Sequence, residues 1–225
     1  MLTAPSRHIR ARQTRELLRA ARHSWRVGRP INWQVVIDFG WPEQGEEFRP
    51  SRQFRDIRRR FCSWWDYKRK QDLVDGSICD LAIWEAPGGK HHVNWLLSIP
   101  EHMQAEAQAI IEKRMKKVLG DQPDDTMHQQ AVYNLNGDMF YLLKGAEPEY
   151  ARKLNIKPED QGTIWFRRAV PSMSLGRTAR ERDWAAGRIV NGQRTRGLQL
   201  PREKRVLDAT APRAARPLTG GATPS

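Results

Sequence analysis

Two apolar segments separated by a glycine-containing turn constrain the fold of this chain more than any other feature. ICDLAIWE covers residues 78–85, HHVNWLLSIP covers residues 91–100, and Ala-Pro-Gly-Gly-Lys lies between them. Two strand-like runs joined by so short a glycine turn predict an antiparallel hairpin. An earlier segment, INWQVVIDF at residues 31–39, carries apolar residues at every second position, which predicts another half-buried strand.

Helical periodicity surrounds these strands. Residues 7–26 predict a basic amphipathic helix, and apolar residues recur at helical intervals across residues 54–65. Residues 101–121 predict a helix with glutamate early, lysine and arginine late, and Gly120 at its end. Residues 129–146 also have helical periodicity despite Gly137. Strands mixed with helices in this way indicate an α+β fold.

The chain has 225 residues, enough for one compact domain with flexible ends. We predict a basic lead-in helix at 1–30, a main domain at 31–184 and a basic flexible tail at 185–225. No stretch reaches the roughly 18 apolar residues of a membrane span, and the first residues lack the apolar core of a secretory signal. Only Cys62 and Cys79 are present, too few for a disulfide framework. These features predict a cytoplasmic protein without membrane association.

The charge of the chain is strongly positive. Lysine and arginine number 39 against 26 acidic residues, a net charge of +13, and arginine is concentrated in residues 7–29 and 167–216. Such a charge predicts a polyanionic partner. A basic surface that only keeps the protein soluble fits the same composition.

Candidate metal ligands lie in the predicted hairpin. Side chains two residues apart on a strand share a face, so His92 and Asn94 point together while His91 points to the other side. Glu85 lies on the partner strand, where antiparallel pairing can bring its carboxylate to the same face. One imidazole, one amide oxygen and one carboxylate suit Mg²⁺ or Mn²⁺. A surface histidine beside a hairpin turn is the alternative interpretation.

From residue 31 onward, the order of motifs resembles the HUH endonucleases, which include rolling-circle replication initiators and relaxases. INWQVVIDF is similar to the first hydrophobic strand of the family, HVNWLL from His92 to its histidine-apolar-histidine motif, and YLLKG from Tyr141 to its tyrosine helix. Glu85 is similar to the upstream carboxylate ligand. QGTIWFRRAVPSMSLGRTAR also resembles the segment that follows this helix in bacterial replication-initiator-like members. The resemblance covers roughly residues 31–184 and points to a bacterial, phage or plasmid protein.

The resemblance implies a fold and a reaction. The fold would be an antiparallel sheet of about five strands, RRM-like in topology, with a metal site on its open face and the tyrosine helix beside it. Tyr141 would attack a DNA phosphodiester and Lys144 would position the phosphate or favour the tyrosinate, with Glu85, His92 and Asn94 holding Mg²⁺ or Mn²⁺. Single-stranded DNA is the implied partner, and replication proteins of the host are candidate further partners. From the residues alone, Tyr141 as a core aromatic beside an exposed Lys144 remains an alternative.

One residue departs from the family pattern. Asn94 stands where the family has its second histidine. An amide oxygen is a poorer ligand than imidazole for transition metals, so the departure predicts weaker metal binding. His91 is a substitute only if a β-bulge intervenes, because strand alternation otherwise turns it to the opposite face.

Aromatic and basic residues supply candidate nucleic-acid contacts. The chain has nine tryptophans. We expect Trp33 and Trp84 to be in the core and Trp41 and Trp95 to be available for base stacking, which contributes about 1–3 kcal/mol per base. The segment after the tyrosine helix adds four arginines that we expect to neutralise phosphates: Arg167, Arg168, Arg177 and Arg180.

Three functions are compatible with these features. The first is a metal-dependent endonuclease and strand transferase that nicks and rejoins single-stranded DNA during replication initiation. The second is a binder of single-stranded DNA that keeps the scaffold without cutting. The third is an RNA-associated protein, since a sheet with exposed aromatics also suits single-stranded RNA.

Overall fold

One antiparallel sheet organises the residues that the computed structural model describes, 5–121 and 126–189. Its strands in chain order are β1 (Trp33–Gly40), β2 (Asp80–Glu85), β3 (His91–Leu97), β4 (Met127–Ala131) and β5 (Ala169–Pro171). Their order across the sheet is β4-β1-β3-β2-β5, with every neighbouring pair antiparallel. The predicted α+β class and the predicted sheet of about five antiparallel strands are confirmed.

Within the described ranges, six α-helices accompany the sheet: α1 (Ala11–Arg26), α2 (Arg49–Lys70), α3 (Gln104–Leu119), α4 (Leu135–Leu142), α5 (Pro148–Lys153) and α6 (Arg177–Ala185). The helices predicted before residue 122 are confirmed with shifted ends. The helix predicted over residues 129–146 is wrong at its start, because 127–131 form the edge strand β4. Its remainder divides at Leu143–Gly145, a 3₁₀ turn.

The alternation of strand residues creates two different faces. Trp33, Val35 and Ile37 of β1 lie on the face that packs against α2 and α3, which we call the α2 face. The opposite face, which we call the α1 face, packs through Leu81, Ile83 and Leu96 against α1 and α4. Because both faces carry helices, the α1 face is covered over much of its area. It is not the open face that the family resemblance implies.

Trp95 belongs to the core of the α2 face. Its side chain is fully buried, and its ring meets Phe54 and Phe61 edge-on at 5.3 and 5.1 Å between centroids. Its Nε1 donates a hydrogen bond to Asp80 Oδ2 at 2.8 Å, which satisfies the one polar atom of the indole. The expectation that Trp95 stacks on a base is therefore wrong, whereas Trp33 and Trp84 are buried as expected.

Helix α1 packs as part of the same structure as the sheet. Its residues Leu17, Leu18, Ala20 and Ala21 are buried in one cluster with strand residues of the α1 face. The predicted boundary at residue 30 thus does not separate two packing units. The predicted flexible tail lies outside the described residues from position 190 onward.

Among residues 5–121 and 126–189, no helix is long and apolar enough to cross a membrane. Cys62 and Cys79 are both free thiols, as expected for two lone cysteines. Burial raises the pKa of Cys62 to about 11, so this thiol is protonated and unreactive at neutral pH.

A close backbone approach holds the loop before β5 against the end of β2. Gly162 has a φ of +67°, and a Cβ added there would lie 1.8 Å from the carbonyl oxygen of Ala86. Ala86 N donates to Gln161 O at 2.8 Å, so the two segments are bound at this contact. Only glycine fits the position.

We expect Gly162→Ala to lower the free energy of unfolding by about 2–5 kcal/mol, the sum of left-handed strain and overpacking. Urea denaturation measures this loss. Gly187→Ala is the matched control, since Gly187 has a similar φ of +65° but nothing within 4 Å of the added Cβ. Equal losses in the two variants would show that the contact with Ala86 is unimportant.

Candidate active site

Glu85, His92 and Asn94 lie together on the α1 face of the sheet. Glu85 and His92 are directly paired across β2 and β3, and Ile83 is paired with Asn94 one step along the same face. His92 Nε2 lies 3.0 Å from Glu85 Oε2. The carboxylate and Asn94 are buried, while His92 is partly exposed and forms the accessible edge of the group. The prediction that strand alternation brings these three side chains to one surface is confirmed.

A row of amides fixes the orientation of Asn94. Gln130 Nε2 donates to Gln34 Oε1 at 2.9 Å, and Gln34 Nε2 donates to Asn94 Oδ1 at 2.9 Å. Asn94 Nδ2 is buried without a hydrogen-bond partner among the described residues, and so is Glu85 Oε1. In this orientation, the oxygen of Asn94 is already engaged by Gln34.

The amide row can be reversed without losing its hydrogen bonds. An amide presents its oxygen on one edge and its nitrogen on the other, so turning over all three amides exchanges each donor for an acceptor. The reversed row would leave Asn94 Oδ1, rather than Nδ2, without a protein partner. Asn94 could then offer an oxygen to a cation beside Glu85.

Tyr141 is presented to solvent by helix α4. Leu135, Met139 and Leu142 bury the opposite side of this helix, and Tyr141 remains 64% exposed. Asn134 begins the helix by accepting a hydrogen bond from Gly137 N at 3.2 Å. The interpretation of Tyr141 as a core aromatic is therefore wrong, since its phenol is open to an incoming phosphate.

Lys144 connects Tyr141 to the sheet. Its Nζ lies over the Tyr141 ring, 4.0 Å from the centroid, and 3.6 Å from Glu159 Oε2. Burial lowers the pKa of Lys144, but the contact with Tyr141 and the negative charge of Glu85 outweigh this effect, so the pKa lies above its ordinary value. The ammonium group therefore stays charged at neutral pH.

Arg168 holds backbone segments together in the interior of the protein. It is buried, and its guanidinium donates to four carbonyl oxygens, those of Ser6, Trp84, Gln161 and Gly162. Burial lowers the pKa of Arg168 to about 10, while the charges of Glu85 and Asp160 act in the opposite direction. The expectation that Arg168 contacts nucleic acid is therefore wrong.

The other predicted nucleic-acid contacts are on the surface. Trp41 is 65% exposed near the hairpin turn, with Lys90 Nζ 5.2 Å from its ring centroid. Arg167 and Arg177 are exposed, and Arg180 is partly buried. The three arginines line one groove next to α1, away from Trp41.

His91 lies on the α2 face, as strand alternation predicted. Its Nδ1 is 3.1 Å from Gly89 O, its ring lies near Phe166, and burial lowers its pKa. His91 is therefore not a substitute for the missing second histidine.

Sequence reasoning missed Gln34 and Gln130. The alternation of β1 places Gln34 opposite its apolar residues and thus on the same face as Asn94, so that position was open to prediction. Gln130 was not, because residues 129–131 were interpreted as helix.

The donor set fits a divalent cation only with help from the amide. No group of three histidine, cysteine, aspartate or glutamate side chains that could hold a metal ion occurs in the part of the chain that the structure describes. Glu85 and His92 supply two ligands, and the unpartnered Glu85 Oε1 is a buried acceptor that a cation would satisfy. Asp38 pairs with His92 in the register of β1 and β3, but Lys90 Nζ holds its carboxylate at 2.6 Å.

Comparison with known proteins finds no matching family model and no matching curated protein.

We expect Asn94→His to tighten Mn²⁺ binding roughly tenfold or more, because imidazole is the stronger ligand for this metal. Isothermal titration with Mn²⁺ measures the change. Gln53→His on α2 controls for an added histidine elsewhere. An unchanged dissociation constant for Asn94→His would show that position 94 does not contribute to a metal site.

Proposed function

We propose that this protein nicks and rejoins single-stranded DNA through a covalent bond to Tyr141, with the help of Mg²⁺ or Mn²⁺. The observation that carries the proposal is the position of Lys144. Its ammonium lies over the ring of an exposed tyrosine. The charge of Glu85, which is hydrogen-bonded to His92, helps to raise the pKa of Lys144. These contacts support a site that combines a nucleophile, a cation and a potential pair of metal ligands.

The reaction is a transfer of a phosphodiester to the protein. The Tyr141 hydroxyl oxygen attacks phosphorus, a new O–P bond forms, and the bond from phosphorus to the 3′ oxygen breaks. The tyrosine loses its proton and the departing 3′ oxygen gains one. The products are a 5′-phosphotyrosine and a free 3′-hydroxyl, and attack by that hydroxyl on the phosphotyrosine restores the strand.

Lys144 would act by its charge rather than as a base. Because its pKa is raised, it carries a proton at neutral pH and cannot accept the one that leaves Tyr141. A fixed cation next to the phenol attracts the phosphate and stabilises the negative charge that develops on it. This role matches one of the two that the family resemblance implies.

Glu85 and His92 would hold the metal ion, with Asn94 as a third ligand in the reversed orientation of the amide row. When bound, Mg²⁺ or Mn²⁺ would polarise the scissile phosphate and stabilise the charge that develops on its oxygens. The burial of Glu85 strengthens its attraction for a cation, because there is less water to screen the charge.

One observation favours the second candidate function, a binder that does not cut. Asn94 Oδ1 accepts a hydrogen bond from Gln34 and is not free to bind a metal ion. Glu85 and His92 are then the two remaining ligands of the proposed site. A site that binds metal too weakly would leave the exposed aromatic and basic residues to hold single-stranded DNA without cleavage.

Adduct formation separates these two functions. The protein is incubated with labelled single-stranded DNA from a pool of random sequences, with Mn²⁺, Mg²⁺ or a chelator. We expect a band that resists denaturation and depends on the metal, and its loss in Glu85→Gln. DNA binding without an adduct at any metal concentration would reject cleavage and leave the binder.

A further inference from the structure

Helices α1 and α6 form a basic groove on the side of the protein next to β5. Its volume is about 700 Å³, and six arginines and two glutamates line it. Glu16 forms ion pairs with Arg19 at 2.9 Å and with Arg180 at 2.5 Å. Glu181 forms an ion pair with Arg177 at 2.7 Å. Both carboxylates are therefore neutralised within the groove. We call this surface the arginine groove; its arginines are Arg12, Arg15, Arg19, Arg167, Arg177 and Arg180.

Three arginines of the groove keep an uncompensated charge. Arg12, Arg15 and Arg167 are exposed and have no ion-pair partner within residues 5–121 and 126–189. Fixed positive charges lining a concave surface attract a chain of phosphates more strongly than scattered surface charges do. The groove therefore suits a polyanion that extends along it.

The groove continues into a second depression that contains an exposed tryptophan. This depression has a volume of about 500 Å³ and shares Arg19, Arg180 and Glu181 with the arginine groove. Trp184 lies in it and is 62% exposed, with Arg22 and Arg26 along the same side of α1. An exposed indole beside a row of arginines suits single-stranded nucleic acids, because their bases are free to stack on the ring while the arginines bind phosphates.

The surface is held rigid by buried contacts between the two helices. His23 Nε2 lies 3.0 Å from Asp183 Oδ2, and both side chains are buried. The ion pair between Arg180 and Glu16 is a second contact between α6 and α1. Trp184 follows Asp183 directly. The buried His23–Asp183 pair therefore fixes the position of Trp184 relative to the arginines of α1.

One end of the groove adjoins the chain that follows Tyr141. Ile9 N donates to Gly145 O at 2.8 Å, and Ala11 N at the start of α1 donates to Glu147 Oε2 at 3.1 Å. Arg12 is the next residue of the helix. The residues that follow α4 therefore contact the start of α1, where the arginine groove begins.

We propose that the arginine groove and Trp184 form a second binding surface for single-stranded DNA, with phosphates on the arginines and a base stacked on the indole. The choice of DNA as the ligand rests on the proposed function. Trp184 was not among the tryptophans predicted to stack on bases, because those were chosen for their position near the predicted sheet.

Binding is measured by fluorescence anisotropy of a labelled single-stranded oligonucleotide, with all variants made in the Tyr141→Phe protein so that no cleavage occurs. We expect Trp184→Ala to weaken binding about 5- to 150-fold, the range for one stacked base, and Trp184→Phe to restore part of it. Tyr67→Ala, an aromatic on α2 that is 57% exposed, is the matched control and should bind as the parent does.

The arginines are tested by the salt dependence of binding. Arg12→Gln, Arg15→Gln and Arg167→Gln combined should reduce the slope of log K against log salt by about 2, because each phosphate contact to a single strand contributes about 0.7. A variant with Arg52→Gln, Arg55→Gln and Lys70→Gln loses the same charge from α2 and should reduce the slope less.

Equal effects of the two triple variants, or parent-like binding by Trp184→Ala, would overturn the inference. Duplex DNA bound as tightly as the single strand would exclude stacking, and RNA bound more tightly than DNA of the same sequence would exclude DNA as the ligand. Because binding is measured without cleavage, loss of the adduct with intact groove binding would reject the proposed reaction alone.

Discussion

Replacing Tyr141 by phenylalanine is expected to reduce formation of the DNA adduct by at least about 10³-fold, because the nucleophilic oxygen is the only atom removed. The ring over which Lys144 lies is kept, so the cation and the metal ligands should stay in place. The side chain is 64% exposed, and the variant should therefore unfold at the same urea concentration as the parent. Quantification of the adduct on denaturing gels measures the effect.

Tyr133→Phe provides the control for this substitution. Tyr133 is similarly exposed at 57% and precedes the same helix, but no lysine follows it three residues later. We expect Tyr133→Phe to form the adduct at the parental level. An adduct that persists in Tyr141→Phe would assign the nucleophile to another residue.

Arg168→Leu is expected to have the largest effect on stability, a loss of about 3–5 kcal/mol in the free energy of unfolding. The substitution leaves the carbonyl oxygens of Ser6, Trp84, Gln161 and Gly162 without their charged donor in a buried place. It also removes a positive charge that acts on Glu85. Urea denaturation followed by circular dichroism measures the loss.

Arg167→Leu is the matched control, because the neighbouring arginine is exposed and has no ion-pair partner within the described part of the chain. We expect its unfolding free energy to stay within about 0.5 kcal/mol of the parent. A similar small effect for Arg168→Leu would contradict the assignment of Arg168 as a structural residue.

The hairpin could be predicted well from the sequence because its signal is local. Two strands joined by a short turn have a defined register, and period-two alternation then assigns Glu85, His92 and Asn94 to one face without knowledge of any other element. The helices α2 and α3 were equally accessible, since each carries a long periodic apolar side.

The errors arise where distant contacts decide. Met127–Ala131 has no apolar alternation and becomes a strand only because β1 supplies its hydrogen bonds. Trp95 and Arg168 were predicted to contact nucleic acid, but contacts with Phe54, Phe61 and the loop at 161–162 bury them. Neither the partner side chains nor the closure of that loop can be read from local pattern.

The proposed nucleophile and the proposed metal ligands differ in their exposure to solvent. Tyr141 is exposed, whereas Glu85 and Asn94 are buried and His92 beside them is partly exposed. Lys144 lies over the Tyr141 ring, and the charge of Glu85 helps to raise the pKa of Lys144.

The residue that carries the DNA can be identified directly by mass spectrometry of the trapped adduct. The tryptic peptide ending at Lys144, residues 118–144, contains both Tyr133 and Tyr141, so fragmentation must separate the two. We expect a 5′-phosphonucleotide on Tyr141 after nuclease digestion. A nucleotide on Tyr133, on any other residue, or an adduct that is absent at every metal concentration would contradict Tyr141 as the nucleophile.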